Sequence, residues 1–159
     1  MSEALAIYLH DHLAGASLAI ELLKSMRDQH SGAPLGEFAA TLLAEIEADH
    51  VVLRALAERT GSGSSAVKQL GAWLTEKVSR LKLSGQSEND FRTFEALEFL
   101  QLGIHGKWAL WRALDAVVAK DVRLQGTDFA NLIARAELQE AEVEHRRLEV
   151  AQVAFSSVN

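Results

Sequence analysis

Apolar residues recur at three- and four-residue steps over long stretches of this chain, the spacing that places them on one face of an α-helix. Four breaker clusters interrupt the pattern: His30-Ser31-Gly32-Ala33-Pro34, Gly61-Ser62-Gly63-Ser64-Ser65, Ser84-Gly85-Gln86-Ser87 and Gln125-Gly126-Thr127. Five helical segments are predicted. The first, about Ser2 to Gln29, carries Leu5, Leu9, His12, Ala16, Ala19, Leu23 and Met26 in one stripe, with Glu21, Lys24 and Asp28 opposite. The second, about Leu35 to Thr60, has Leu35, Phe38, Leu42, Ile46, Leu53 and Leu56, with Pro34 ahead of its first turn and Gly61 as a stop. A shorter third, about Ser65 to Leu83, reads as a connecting helix with the basic set Lys77, Arg80 and Lys82 on a solvated face.

The fourth segment, about Glu88 to Lys120, is apolar on almost every side, from Phe91 and Phe94 through Leu100 and Ile104 to Trp108, Trp111 and Val118, which predicts a central position. The fifth starts near Thr127 or Asp128, either of which would cap it, and carries Phe129, Leu132, Ala136, Val143 and Val150. Helices of 25 to 30 residues are about 40 Å long, so they are expected to pack lengthwise as two antiparallel hairpins joined by a long crossover. The expected fold class is therefore all-α, an antiparallel four-helix bundle with an additional crossover helix, in a single domain over residues 1–159.

Composition agrees with helix: the 159 residues include 25 Ala and 24 Leu but one Pro, and 48% are hydrophobic, enough for one core. With 16 Lys and Arg against 22 Asp and Glu, the net charge of −6 lacks the basic excess of a nucleic-acid binder. Cysteine is absent from the sequence, which excludes disulfides, thiolate metal sites and cysteine nucleophiles and fits a cytoplasmic location. No apolar run reaches the roughly 18 to 20 residues of a membrane span, and MSEALAIYLHDH has no basic region ahead of an apolar stretch, so a soluble, unprocessed chain without membrane partners is expected. The all-round apolar fourth segment predicts a homodimer. There is no phosphate loop and no nucleophile elbow.

Chemistry enters through a repeated pattern. Glu45-Ile-Glu-Ala-Asp-His-Val-Val-Leu53 and Glu140-Ala-Glu-Val-Glu-His-Arg-Arg-Leu148 share E-x-E-x-(D/E)-H-x-x-L and read as an internal pseudo-repeat on the second and fourth long helices. Each contains E-x-x-H, Glu47 with His50 and Glu142 with His145, and an i, i+3 pair on a helix projects to one side, able to grip a metal ion. In this the chain resembles the ferritin-like superfamily, whose di-iron members place E-x-x-H on the second and fourth helices and one more carboxylate on each of the first and third. The segments YLHDHLAGA (Tyr8 to Ala16), SRLKLSG (Ser79 to Gly85) and LGIHGKWALWRAL (Leu102 to Leu114) are similar to a group of uncharacterised bacterial ferritin-like proteins. The resemblance implies a fold rather than an activity.

Helix geometry argues that this metal set is incomplete. The first-helix position level with Glu47 is Ala19, because Glu21, the only carboxylate nearby, points to the opposite side. On the third long helix His105 replaces the expected carboxylate. Glu142 falls among Arg135, Gln139, Arg146 and Glu149, away from the apolar stripe, and so faces water, whereas His50 lies close to Ile46 and Leu53 and is the better interior candidate. His12, His50 and His105 each lie on or near an apolar face, where three imidazoles would bind one Zn, Ni or Fe ion or, alternatively, hydrogen-bond Asp49 or Glu98.

Gly103 and Gly106 flank His105 inside a helix at a cost of about 1 kcal/mol each, and Ala14-Gly15-Ala16-Ser17 is similarly small. If these face one another, the bundle is either pinched there or encloses a small cavity. Trp108, Trp111, Phe91, Phe94 and Phe99 read as packing. Two functions are thus expected to compete. One is a non-standard metal-binding protein, holding iron or another divalent metal through Glu47, His50 and His105 with His12, Glu98, Glu142 and His145 as further ligands. The other is a metal-free ligand-binding or protein-interaction bundle that has lost the di-iron site.

Overall fold

A computed structural model describes residues 3–61 and 89–156. Within them the chain is all-α, with four long helices: α1 (Glu3–Gln29), α2 (Pro34–Arg59), α3 (Asn89–Asp115) and α4 (Phe129–Ala154). The predicted connecting helix at about Ser65 to Leu83 lies outside the described residues.

The turns follow from local chemistry. Between α1 and α2 the backbone reverses through Gly32 at φ 79°, a left-handed conformation that favours glycine, and Pro34 occupies the first turn of α2. Gly36 packs against the preceding chain so closely that a Cβ there would lie 2.2 Å from the His30 carbonyl oxygen. At the end of α2 the Thr60 hydroxyl donates to the Ala57 carbonyl at 2.6 Å, and Gly61 turns away at φ 72°. Asp128 caps α4, accepting the Asn131 amide at 3.0 Å, which settles the choice between Thr127 and Asp128.

Two expectations for α3 are corrected. The helix ends at Asp115 rather than near Lys120, and Val118–Lys120 and Val122–Leu124 form separate 3-10 turns, the second capped by Asp121 through the Arg123 amide. The β-branched run of Val117 and Val118 disfavours continuation. Nor is α3 enclosed on every side: it buries Leu97, Leu100, Ile104, Leu110, Trp111 and Leu114 but leaves Phe91, Phe99 and Leu102 exposed.

Among the described residues the core falls into two clusters. One gathers Leu23, Met26, Leu42, Leu43, Ile46, Leu97, Leu100, Ile104 and Val143; the other gathers Leu9, Leu53, Leu56, Leu110, Trp111, Leu114, Phe129, Leu132 and Ala136. Residue numbers therefore rise in the same direction along α2 and α3, while α1 and α4 run the opposite way. Two antiparallel hairpins, α1/α2 and α3/α4, form the bundle, and the end of α2 lies at the opposite end from the start of α3. No helix of the described residues is long and apolar enough to cross a membrane.

Candidate functional site

Between the two clusters each helix contributes a polar residue to its own apolar stripe. His12 lies between Leu9 and Ala16, Asp49 between Ile46 and Leu53, Lys107 between Ile104 and Trp111, and Gln139 between Ala136 and Val143. Every interval is three or four residues, so these side chains project along the same face as their apolar neighbours. Asp49 is 2% exposed and Gln139 1% exposed.

Burial of such groups demands partners, and most are present. Lys107 Nζ donates to Asp49 Oδ2 at 2.5 Å and to the Gln139 side-chain oxygen. Arg135 donates to the other oxygen of Asp49, and Gln139 Nε2 donates to Glu45 Oε2 at 2.8 Å. Two carboxylates from α2 thus meet two cations and an amide from α3 and α4. Burial pushes Lys107 below the usual lysine range, against the opposing pull of Asp49.

Beside this layer lies a cavity of about 290 Å³ enclosed by α1, α2 and α3. From α1 it is lined by Asp11, His12, Gly15, Ala16 and Ala19; from α2 by Ile46, Asp49, His50 and Leu53. From α3 come Leu100, Gly103, Ile104, Gly106, Lys107, Leu110 and Trp111. Small residues create the space. A Cβ built on Gly15 or Gly103 would meet nothing within 4 Å, and one on Gly106 would reach only His12 Cε1 at 4.0 Å. The alternative between pinched helices and an enclosed cavity is thereby decided for the cavity. Gly15, Gly103 and Asp11 are exposed, which puts its mouth between α1 and α3.

His12 and His50 are half-buried in the wall, and burial holds both imidazoles below their usual range. Asp11 opposes the effect at His12; at His50 Arg54 reinforces it and Glu47 opposes it. His12 also packs edge-on against Tyr8, with ring centroids 4.7 Å apart. Trp111 is fully buried, and its indole Nε1–H has no hydrogen-bond partner.

Comparison of the chain with protein-family models, curated proteins and solved structures finds no match.

The remaining sequence-predicted ligands lie elsewhere. Glu47 is exposed on the outer side of α2. His105 is exposed on the far side of α3, where Nδ1 lies 3.1 Å from Glu140 Oε1 and the ring stacks obliquely on Trp108. Glu98 accepts from Arg147 at 3.0 Å on the surface. Glu142 is exposed, and His145 pairs with Glu149 at 3.3 Å in water. Of the seven predicted residues the fold brings together His12 and His50 at the cavity; Glu47, Glu98, His105, Glu142 and His145 do not converge there. Among the described residues no three His, Asp or Glu side chains are grouped to hold a metal ion.

The two copies of the repeated pattern also differ in orientation. Leu53, the last residue of the first copy, is 3% exposed, whereas its counterpart Leu148 is 49% exposed. The helix α4 buries Gln139 and Val143 instead, turning its copy of the pattern toward solvent. Gln139 and Arg135, placed by the sequence reading on the outer face of α4, reach into the bundle. Lys107, Arg135 and Gln139 are the residues of the polar layer that the sequence reading missed.

Proposed function

We propose that this chain is a small-molecule-binding helical bundle, with the cavity between α1, α2 and α3 as its binding site. One observation carries the reading: Gly15, Gly103 and Gly106, all in helix interiors, line the cavity, and a Cβ at Gly15 or Gly103 would meet nothing within 4 Å. Glycine weakens a helix by about 1 kcal/mol relative to alanine, and nothing packs into the space gained at Gly15 or Gly103 to offset this. Concave, mostly apolar clefts with a few polar groups are the usual form of small-molecule sites. Titration with a ten-carbon hydrocarbon such as tetralin, followed by calorimetry, tests it. Saturable binding to the native chain, lost in a Gly103→Leu variant that places a side chain across the mouth, is the expected result. Equal binding to a folded Gly103→Leu variant would overturn the reading.

A second reading is metal binding at the same cavity, favoured by the two imidazoles that line it, His12 from α1 and His50 from α2, whose hold on a proton is weakened by burial. The order of the helices, two antiparallel hairpins with α2 and α3 parallel, supports a ferritin-like descent for this bundle. The exposed Glu47, Glu142 and His145 do not fit a two-metal carboxylate centre, so His12 and His50 are the residues assigned to iron or another divalent ion. Elemental analysis of protein purified without chelator from metal-supplemented cells tests this. Metal that disappears in the His12→Ala, His50→Ala double variant supports it; metal-free native protein from such cells sinks it.

A further inference from the structure

Size and hydrogen bonding together narrow what the cavity takes. Its volume, about 290 Å³, is roughly twice that of an engineered apolar cavity that accepts one benzene ring, so a molecule of two fused rings matches it. The charged and polar side chains of its wall are Asp11, His12, Asp49, His50 and Lys107. Asp49 is held by Lys107 and Arg135, and Lys107 by Asp49 and Gln139. The carboxylate of Asp11 is exposed to water at the rim, where an ion pair contributes little.

The two imidazoles differ from these. Among the described residues neither His12 nor His50 makes a hydrogen bond or an ion pair. The buried side-chain atoms without a partner belong to His10, Gln101, Trp111 and Arg135, so the ring nitrogens of His12 and His50 are reached by solvent. A Cβ built on Gly106 of α3 would stand 4.0 Å from His12 Cε1, the ring carbon bonded to both nitrogens. The nitrogen-bearing edge of His12 therefore faces from α1 toward α3 across the cavity that both residues line.

At pH 7.5 both rings are neutral, because that lies above the ordinary imidazole pKa of 6.5 and burial lowers both further. A neutral imidazole offers one N–H donor and one bare nitrogen acceptor. A molecule that fills the cavity shuts water away from them, and one without matching groups leaves them unpaired at a cost in affinity. A hydroxyl answers both needs, since its oxygen accepts from an N–H and its own proton is donated to a bare nitrogen; a ketone only accepts. A full charge would lose its hydration on entry and meet neutral rings in place of a counter-ion.

We infer that the ligand is an uncharged molecule of about two fused rings bearing a hydroxyl group, which exchanges hydrogen bonds with the imidazoles of His12 and His50. This rests on the small-molecule reading of the cavity and names the class of molecule it takes.

A matched series on one skeleton tests it: tetralin, 1-tetralol, 1-tetralone, 1-aminotetralin and tetralin-1-carboxylate. Each is titrated by calorimetry against the full chain at pH 7.5, with a chelator present to keep metal ions off the imidazoles. The alcohol should bind about fivefold tighter than the ketone, the increment of one neutral hydrogen bond, and tighter still than the hydrocarbon. The carboxylate and the amine should each bind at least about tenfold more weakly than the alcohol. His12→Leu with His50→Leu should erase the preference for the alcohol while hydrocarbon binding persists. If that pair does not fold, each single variant should show the loss of one bond, about fivefold. Tightest binding of the ketone, the carboxylate or the amine by the native chain overturns the inference, whatever the variants do. So does an alcohol preference that survives undiminished in the folded double variant or in both folded single variants. Saturable hydrocarbon binding with no alcohol preference overturns this inference and leaves the cavity reading standing, whereas failure of every member of the series to bind overturns both.

Discussion

Asp49 of α2 and Lys107 of α3 occupy the same kind of position: each falls where the three- and four-residue spacing of its helix calls for an apolar side chain, and each finds the other, 2.5 Å from Nζ to Oδ2. Asp49 is further held by Arg135, so a carboxylate with almost no solvent contact has two cationic donors.

Asp49→Asn keeps the shape and removes the charge, leaving Lys107 and Arg135 facing an uncharged amide inside the bundle. Breaking a buried pair from one side costs about 3 to 5 kcal/mol. The urea midpoint should fall accordingly, and an Asp49→Leu, Lys107→Met double variant should recover much of the loss, since paired apolar replacement is often close to neutral. A single variant as stable as the native chain would remove the ion pair from the account of stability.

The glycines separate into two classes that alanine should distinguish. Gly103→Ala adds a methyl group that meets nothing within 4 Å and removes the helix-interior penalty, so stability should rise by about 0.5 to 1 kcal/mol. Gly36→Ala would drive Cβ to 2.2 Å from the His30 carbonyl oxygen and 3.3 Å from that of Arg27, backbone atoms that cannot swing away as a side chain could, and should destabilise the α1/α2 turn. Opposite signs in thermal melts are expected; the same sign at both positions would contradict the packing described.

Stability should also depend on the two cavity histidines. Burial lowers the pKa of His12 and His50 in the folded chain, so below about pH 6.5 the unfolded chain binds more protons than the folded one. Stability contributed by their neutral forms is thus present at pH 7.5 and is lost as pH falls through 6.5 toward the folded pKa. The melting temperature should drop between pH 7.5 and 5.5, and His12→Gln with His50→Gln should flatten that drop. An unchanged slope in the double variant would place the proton uptake elsewhere.

A fourth expectation concerns the exposed half of the repeated pattern. Glu142 and His145 lie on the solvent face of α4, with His145 contacting only Glu149 among the ion pairs of that face, so replacing both by alanine should change stability by less than about 0.5 kcal/mol. It should also leave ligand and metal binding untouched. A large effect on either would mean that α4 presents another face to the interior.

The helices were legible because the periodic stripes are long: Leu42, Ile46, Leu53 and Leu56 define α2 from sequence, and Leu132, Ala136 and Val143 define the buried face of α4. What hid the site was the treatment of polar residues as markers of the outer face. In α4 the steps 132, 136, 139, 143 already place Gln139 in the stripe, and in α3 the steps 100, 104, 107, 111 do the same for Lys107. Periodicity therefore carried the information, and residue type obscured it. His50 is where its closeness to Ile46 and Leu53 puts it. His105 is not at the cavity, because it stands one residue from the Ile104 stripe position and about 100° of helix rotation turns it outward. That Arg135 bends inward to Asp49 could not be read from spacing, since a long side chain reaches a partner three-dimensionally.

The polar layer also makes the two halves of the molecule mutually dependent. Glu45 and Asp49 belong to the α1/α2 hairpin, and Lys107, Arg135 and Gln139 to the α3/α4 hairpin. Two copies of the first hairpin would press carboxylate against carboxylate, and two copies of the second would press cation against cation. Each hairpin therefore disfavours its own kind and suits the other, and a slip of one turn along the axis would part Asp49 and Lys107, the two largely buried charges, from each other. During synthesis, the first hairpin to emerge carries a negative centre whose partners, Lys107, Arg135 and Gln139, arrive with the later half of the chain.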